Sequence, residues 1–210
     1  MIPSKKELEI LLSKFKSFEK PNPELEQYIT PSSIAAELLW MAFMDENIKG
    51  RNVADFGTGT GIFAIGASLL GAKSSVGYDI DHGSLKIARE NVKIAKKSAF
   101  QLGKITFQKT DIAEVKKKYD TIIMNPPFGV QKKHADRNFL EQAFKIAKKA
   151  IYTIHKTSQQ NDRFIENIAN ERGFLSSKIA EREMPLKATM EFHEKQQYSV
   201  AIALWKFLAL

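Results

Sequence analysis

Asn125, Pro126, Pro127 and Phe128 stand in "IIMNPPFGVQKK", at the end of an apolar run with the length and content of a buried strand. A carboxamide oxygen at a strand end can accept a hydrogen bond from an amino group. A proline has no N–H of its own, so its carbonyl is left as a second acceptor while its ring fixes the local backbone. Two acceptors aimed at one planar amine draw its lone pair out of conjugation, which is catalysis by positioning and electrostatics and requires no strong base. The ring of Phe128 adds a flat surface of the kind on which nucleobases stack. Taken alone, the same four residues also read as a strand stop followed by a core phenylalanine.

A second constellation shifts that balance. "VADFGTGTGIFAIGASLLGA" sets Asp55, Gly57, Gly59 and Gly61 between a strand and a helix, where glycines let a ligand approach the main chain and a helix N-terminus favours negative charge. The spacing is G-x-G-x-G, not the G-x-G-x-x-G of dinucleotide sites. Asp79 closes the next strand, about 20 residues beyond the loop, where a carboxylate can accept ribose hydroxyls, and Asp111 closes the one after that. Any one of these acids alone is an ordinary strand-end or capping residue. Their recurrence at successive strand ends is not, because the carboxyl ends of adjacent strands in a doubly wound sheet line one crevice, which would gather Asp55, Asp79, Asp111 and Asn125. A ligand with a ribose, an adenine and a positive centre suits them, and S-adenosylmethionine suits them better than a dinucleotide.

The elements that position these residues are legible as an alternation. "NVADF", "SSVGYDI", "KITFQKTD", "YDTIIMN" and "IYTIH" read as strands, and "GIFAIGASLLGA", "GSLKIARENVKIAKKSA", "FLEQAFKIAKKA" and "NDRFIENIANERGF" as helices. Such an order predicts an α/β fold with a parallel sheet covered on both faces, since parallel strands need long crossovers. "SSKIAEREMP" and "YSVAIALWKF" have only a loop between them and are expected to pair antiparallel at the sheet edge. Upstream, "SKKELEILLSKFKSF" spaces Leu8, Leu11, Leu12 and Phe15 at helical intervals behind Ser4, a capping residue. "SSIAAELLWMAFM" is a second helix, expected to be capped by Ser32 or Ser33 and packed through Ile34, Leu38, Leu39 and Met41. The expected division is an N-terminal helical extension over residues 1–31, covering the cofactor, and one domain over 32–210.

Composition bounds the partners. The 210 residues are 43% hydrophobic, enough for a core, and the formal charge of +8 with a pI near 9.5 favours a polyanionic partner. The absence of cysteine excludes disulfides, thiolate metal sites and a cysteine nucleophile, and the four histidines have no metal-ligand spacing, so no metal is expected. The charged start "MIPSKKELEI" does not resemble a signal sequence, and no apolar run is long enough to span a bilayer. The expectation is a soluble, cytoplasmic protein without membrane contact.

Together these stretches resemble the class I S-adenosylmethionine-dependent methyltransferases with an Asn-Pro-Pro-Phe active site. They are most similar to the small archaeal and eukaryotic RNA methylases whose eukaryotic members make N6-methyladenosine in small-subunit ribosomal RNA. The similarity runs through "FEKPNPELEQYITP", the glycine loop, "VGYDID", "TIIMNPPFG", "IYTIHK" and "EFHEK"; "LEQYITP" discriminates most, because a general methyltransferase core does not need it. The resemblance implies a Rossmann-like fold with a seven-stranded, mostly parallel sheet and an antiparallel last strand. It also implies that Gln27 and Thr30 contact the cofactor and that Tyr28 lies near the target pocket. Gly57, Thr60 and Ile62 would lie by the cofactor's methionine, Asp79 by its ribose, and Asp111 with Ile112 around its adenine. Asn125 to Phe128 would form the catalytic wall. Many relatives carry cysteines where this chain has Thr58 and Thr60, and cofactor binding should survive the change. The partner implied is ribosomal RNA, joined in eukaryotic members by a small zinc-binding activator subunit.

Lys132, Lys133 and Arg137 follow the catalytic motif directly and are candidates for RNA contact; Lys156, after His155, reads equally as a phosphate contact or a solvated strand end. Lys116 to Lys118, Lys145, Lys148 and Lys149 read as solvated faces, and His193 and Lys195 match the family without a derivable role. A protein glutamine methyltransferase, a DNA adenine methyltransferase and a cofactor-binding assembly factor without turnover stay open as alternatives.

Overall fold

The computed structural model describes residues 2, 4–19, 21–128, 135–187 and 197–210. The apolar runs become the strands β1 (Asn52–Phe56), β2 (Ser74–Asp79), β3 (Lys104–Lys109), β4 (Tyr119–Met124), β5 (Ala147–Lys156), β6 (Phe174–Lys187) and β7 (Gln197–Ala209). Six helices accompany them: α1 (Lys5–Leu12), α2 (Ser32–Met44), α3 (Ile62–Leu69), α4 (His82–Lys96), α5 (Ala135–Ile146) and α6 (Gln159–Glu171). The strands form one sheet in the order β3-β2-β1-β4-β5-β7-β6. β3, β2, β1, β4 and β5 run parallel, and β7 lies antiparallel between β5 and β6. This is the α/β architecture that the alternation of elements implies.

The strand order reverses between β1 and β4, which are direct neighbours with Phe56 opposite Met124. Loops leaving the two strands there must part, one toward each face of the sheet, and a crevice opens between them. Neighbouring strands lie about 4.8 Å apart, so the glycine loop after β1 and Asn125 after β4 are brought together by the topology alone.

Burial fixes the sheet in register. Alternate residues feed two apolar layers: Val53, Ile123, Tyr152 and Ile154 pack with α1, α2 and α3 on one face, and Ala54, Phe56, Ile122 and Ile151 pack with α5 and α6 on the other. A one-residue slip would exchange the two sets. The extension is part of this core, because Leu8, Leu11 and Leu12 of α1 share the first layer with Leu38 and Leu39 of α2. Each buried side chain of this size contributes about 1.5–3 kcal/mol.

Two local expectations need correction. Pro31, not Ser32 or Ser33, is the N-cap of α2: it makes no side-chain bond, its carbonyl accepts from the N–H of Ala35, and both serines fall inside the first turn. The helix expected through residue 150 ends at Ile146. Ala147 instead pairs with Tyr119 and Ala150 with Thr121, three steps on β5 against two on β4. That bulge absorbs the extra residue and turns Lys148 and Lys149 to solvent, so strand pairing overrides the helical look of "IAKKA".

Candidate cofactor and substrate site

A cavity of about 550 Å³, within the range of small-ligand sites, opens at the carboxyl ends of β1, β2 and β4. Of the sequence candidates, Gln27, Tyr28, Gly57, Gly59, Asp79, Asp111, Ile112, Asn125 and Pro127 line it. Asp55, Thr60, Gly61, Ile62, Thr30, Pro126, Phe128 and Lys156 do not line it. Several of these brace it, and the others stand at its margin. Lys132, Lys133, His193 and Lys195 lie outside the described residues.

The glycine loop has to be glycine. Gly57 and Gly59 have φ of +64° and +51°, and a Cβ at either would come within 3.1 Å of the Phe139 ring or 3.3 Å of the Phe18 ring. The loop is held from below. Asp55 is fully buried, and its Oδ2 accepts from Thr58 Oγ1 at 2.6 Å and from the N–H of Ala64 in the first turn of α3 at 2.9 Å. Burial pushes its pKa up to about 7 against the opposing pull of those two bonds, and repulsion from Asp79 adds to the rise. Its Oδ1 is buried and unpartnered. The N-cap of α3, Gly61, has no side chain to cap with, and of the first-turn amides Asp55 takes that of Ala64, so those before it are left for a ligand.

Asp79 is committed in part before any ligand arrives. One oxygen accepts from the N–H of Gly59 at 2.8 Å and the other from the N–H of Asp81 at 2.9 Å, while burial raises its pKa. Asp111 is exposed and caps the 3-10 turn Ile112–Glu114 through the N–H of Ala113. Ile80, 48% exposed at the cavity mouth, and buried Ile112 supply apolar surface beside them.

A strap of the N-terminal segment closes one side, with Phe18 and residues 24–28 in the lining. Gln27 staples it: Nε2 donates to Asp81 Oδ2 and to Ser84 Oγ, each at 3.1 Å, and Oε1 accepts from the N–H of Asn22. For Asp81, burial opposes ionisation, but the bonds from Ser84, Gln27 and Gly83 outweigh it and its pKa falls. Asn91 staples the other end by accepting from the N–H of Lys16 and donating to the carbonyls of Lys16 and Thr60.

At the far wall the strap meets the Asn-Pro-Pro-Phe segment twice. Asn125 Nδ2 donates to Thr30 Oγ1 at 3.0 Å, and its Oδ1 is buried with no partner. Two residues back along the strap, Tyr28 stacks on Phe128 with ring centroids 5.6 Å apart and planes 22° apart. Lys156, half-buried at the end of β5, holds its ammonium 5.6 Å from the Phe128 ring centre. Its neighbour His155 is fully buried, with its pKa lowered to about 3 by burial and its Nε2 against Thr153 Oγ1, so it is a neutral core group. Lys116 to Lys118, Lys148 and Lys149 are exposed and precede or open β4 and β5, whereas Lys145, read with them as a solvated face, is exposed and lines the cavity; Arg137 is paired with Glu141.

Sequence reasoning misses Phe18, Ile80, Asn91 and the α5 face Asn138, Phe139 and Gln142. Asn91 left a signal: it is a polar residue on the stripe of α4 that also carries Leu85, Ala88 and Ala95.

The family model for ribosomal protein L11 methyltransferase (PrmA) matches residues 37–126. The rRNA N(6)-adenosine-methyltransferase METTL5 of Danio rerio is 36% identical over 208 residues, covering 96% of this chain and 97% of its own. The chain belongs to the METTL5 methyltransferase family. Among solved structures, a provisionally assigned RNA methyltransferase of Pyrococcus horikoshii superposes with a TM-score of 0.87 at 38% identity, over 100% of this chain and 98% of that one. By contrast, a provisionally assigned protein N5-glutamine methyltransferase of Methanocaldococcus jannaschii is 36% identical over only 83 residues, 39% of each chain.

The METTL5-type cofactor is S-adenosylmethionine, and the residues present fit it. The glycine loop leaves room that a Cβ would take, and the start of α3 offers the amides before Ala64 to a carboxylate. Asp79 offers its remaining lone pairs to ribose hydroxyls, and Ile80 and Ile112 offer apolar surface to an adenine. Among the described residues, no helix is long and apolar enough to cross a membrane, and no group of three or more His, Cys, Asp or Glu side chains is arranged to hold a metal ion.

Proposed function

We propose that the chain methylates N6 of an adenosine in small-subunit ribosomal RNA. The observation that carries this reading is Asn125: its amide nitrogen is tied to Thr30 while its oxygen, beside an aromatic pair, has no partner. When bound, S-adenosylmethionine supplies an electrophilic methyl, and the new N–C bond forms as the S–C bond breaks. The chain's own part is to hold the amine. Asn125 Oδ1 and the Pro126 carbonyl accept the two N6 protons and turn the nitrogen lone pair toward the methyl, after which one proton passes to solvent. Phe128 stacks on the base, and Lys156 beside it meets a flanking phosphate.

Asn125 Oδ1 is closed to water as well as unpartnered. An entering amine therefore displaces what covers it, next to the stacked pair of Tyr28 and Phe128. A flat base replaces that ring contact better than a glutamine carboxamide does, which favours a nucleobase over a protein substrate. An unpaired or flipped nucleotide is required, because the amine of a stacked base pair cannot enter such a pocket.

Residues 1–31 act as the cofactor-covering extension to a catalytic domain of 32–210, a division supported by the strap's place in the cavity wall. Asp79 takes the ribose, Asp111 and Ile112 the adenine end, and the loop from Gly57 through Ile62 the methionine end. Besides ribosomal RNA, the second partner in this reading is a small zinc-binding activator, and the compartment is the cytoplasm. Mass spectrometry of ribosomal RNA nucleosides tests the function: a strain lacking the gene should lose one N6-methyladenosine, and an unchanged content refutes the reading.

A further inference from the structure

We infer that Asn91 is a positioning residue for the cofactor: from the buried stripe of α4 it locks the N-terminal segment at Lys16 to the glycine loop at Thr60, and so seats Phe18 at the methionine end of the cavity. This rests on the assignment, proposed above, of that end to the loop from Gly57 through Ile62. Asn91 is fully buried among Leu85, Ala88 and Ala95 on the inner stripe of α4, where an apolar side chain would pack and a bare amide would be costly. A full set of hydrogen bonds offsets that cost. Its Oδ1 accepts from the N–H of Lys16 at 2.7 Å, and Nδ2 donates to the carbonyl of Lys16 at 3.0 Å and to that of Thr60 at 2.9 Å. A backbone N–H only donates and a carbonyl only accepts, so the three bonds admit one orientation of the carboxamide.

Both partners lead to the cavity. Lys16 follows the turn that ends α1, in which Lys14 and Phe15 bond back to Leu11 and Leu12. Two residues on, Phe18 lines the cavity, with its ring 3.3 Å from where a Cβ on Gly59 would stand. Thr60 is the next residue of the loop after Gly59. The sheet side of the loop is held separately, by the N–H of Thr58 on the Tyr78 carbonyl and the N–H of Gly59 on Asp79. Asn91 therefore grips the loop on one side of Gly59 and the segment whose ring packs against Gly59. The Lys16 ammonium adds an ion pair to Glu90 at 2.7 Å, but that pair is solvent-exposed and contributes little. Without the carboxamide, Phe18 loses its anchor and the methionine end loses its shape. The adenine end at Asp111 and Ile112 keeps its own support, the bond from the N–H of Ala113.

Asn91→Ala removes all three bonds, and Phe18→Ala removes the ring they seat. Methylthioadenosine keeps the adenine and ribose of S-adenosylmethionine and lacks its amino-acid end, so calorimetry with the two ligands separates the two ends of the cavity. Asn91→Ala should weaken S-adenosylmethionine about tenfold, while methylthioadenosine stays within about threefold. With cofactor saturating, kcat should also hold within about threefold, so that the loss falls on the KM for cofactor. Phe18→Ala should reproduce this pattern, and the double variant should lose no more than the larger single loss. Equal weakening of both ligands would make Asn91 a brace for the whole fold and overturn the inference, as would an unchanged affinity for S-adenosylmethionine or additive losses in the double variant. Should Asn91→Ala fail to fold, hydrogen exchange on the wild type carries the test: S-adenosylmethionine should slow exchange of the Lys16 amide more than methylthioadenosine does, and equal rates overturn the inference. Wild-type protein that binds the two ligands equally well fails the assignment of the methionine end, and this inference with it; wild type that prefers S-adenosylmethionine, with variants that weaken both alike, fails this inference alone.

Discussion

The two walls of the crevice are built on opposite terms. On the β1–β2 side most polar groups are satisfied before any ligand arrives: Asp79 uses both oxygens on backbone amides, Asp81 accepts from Ser84 and Gln27, and Asp55 ties Thr58 and Ala64 together through Oδ2, leaving its Oδ1 unpartnered beneath the loop and away from the cavity lining. On the β4 side Asn125 spends its nitrogen on Thr30 and keeps a buried oxygen with nothing to bind. An unmade hydrogen bond of that kind costs about 1–3 kcal/mol. A wall whose task is affinity gains from being finished in advance, since a rigid cradle loses little freedom when it is filled. A wall whose task is chemistry gains from holding an acceptor that only the reacting amine completes, so that the bond appears where the barrier lies.

The sharpest way to break this division is Asn125→Ala. It should lower kcat by about 10²–10³-fold, as removal of a single preorganised electrostatic group does, and leave the dissociation constant for S-adenosylmethionine within about threefold. Calorimetry beside single-turnover rates checks both quantities on one preparation. If affinity and rate fell together, Asn125 would belong to the binding wall and the contrast would be lost. Phe128→Ala probes the same wall more gently. Base–aromatic stacking is worth about 1–3 kcal/mol, so the apparent affinity for RNA should weaken about 5- to 150-fold, with cofactor affinity unmoved. Loss of cofactor affinity instead would make Phe128 a packing residue for the loop.

The same contrast explains what was legible in the sequence. β1 to β4 and the glycine loop could be read because their cause is local: apolar runs, glycines at positive φ and strand-end acids are all written within a few residues of where they act. The start of β5 could not, since "IAKKA" has helical composition and only its pairing with Tyr119 makes it strand. Asn125 was visible from its prolines, and its contact with Thr30 was not, because that partner lies 95 positions away. Asp55 was expected in the crevice with Asp79 and Asp111, and it sits beneath the loop instead. A strand-end acid can either face a ligand or hold the loop that does, and the residue pattern is the same for both.

Asp55 gives the finest test of the finished wall. Its carboxyl is buried with a pKa pushed up to about 7, above the ordinary 3.8. Between those values the folded protein holds a proton that the unfolded chain has released, so the unfolded state binds fewer protons and stability falls as pH rises from about 4 to 7. This is the reverse of the usual salt-bridged aspartate. A cationic ligand near the loop favours the ionised form, so cofactor binding at pH 6 should release a proton, and affinity should rise about tenfold from pH 6 to pH 8 and then level. Calorimetry in two buffers of different ionisation enthalpy reads the proton directly. Asp55→Asn should flatten the pH dependence of affinity and remove the fall of melting temperature across the same window. A variant that kept the wild-type profile would place the titrating group elsewhere, on Asp79, whose pKa burial also raises, and would make the wall nearest the ribose the unfinished one.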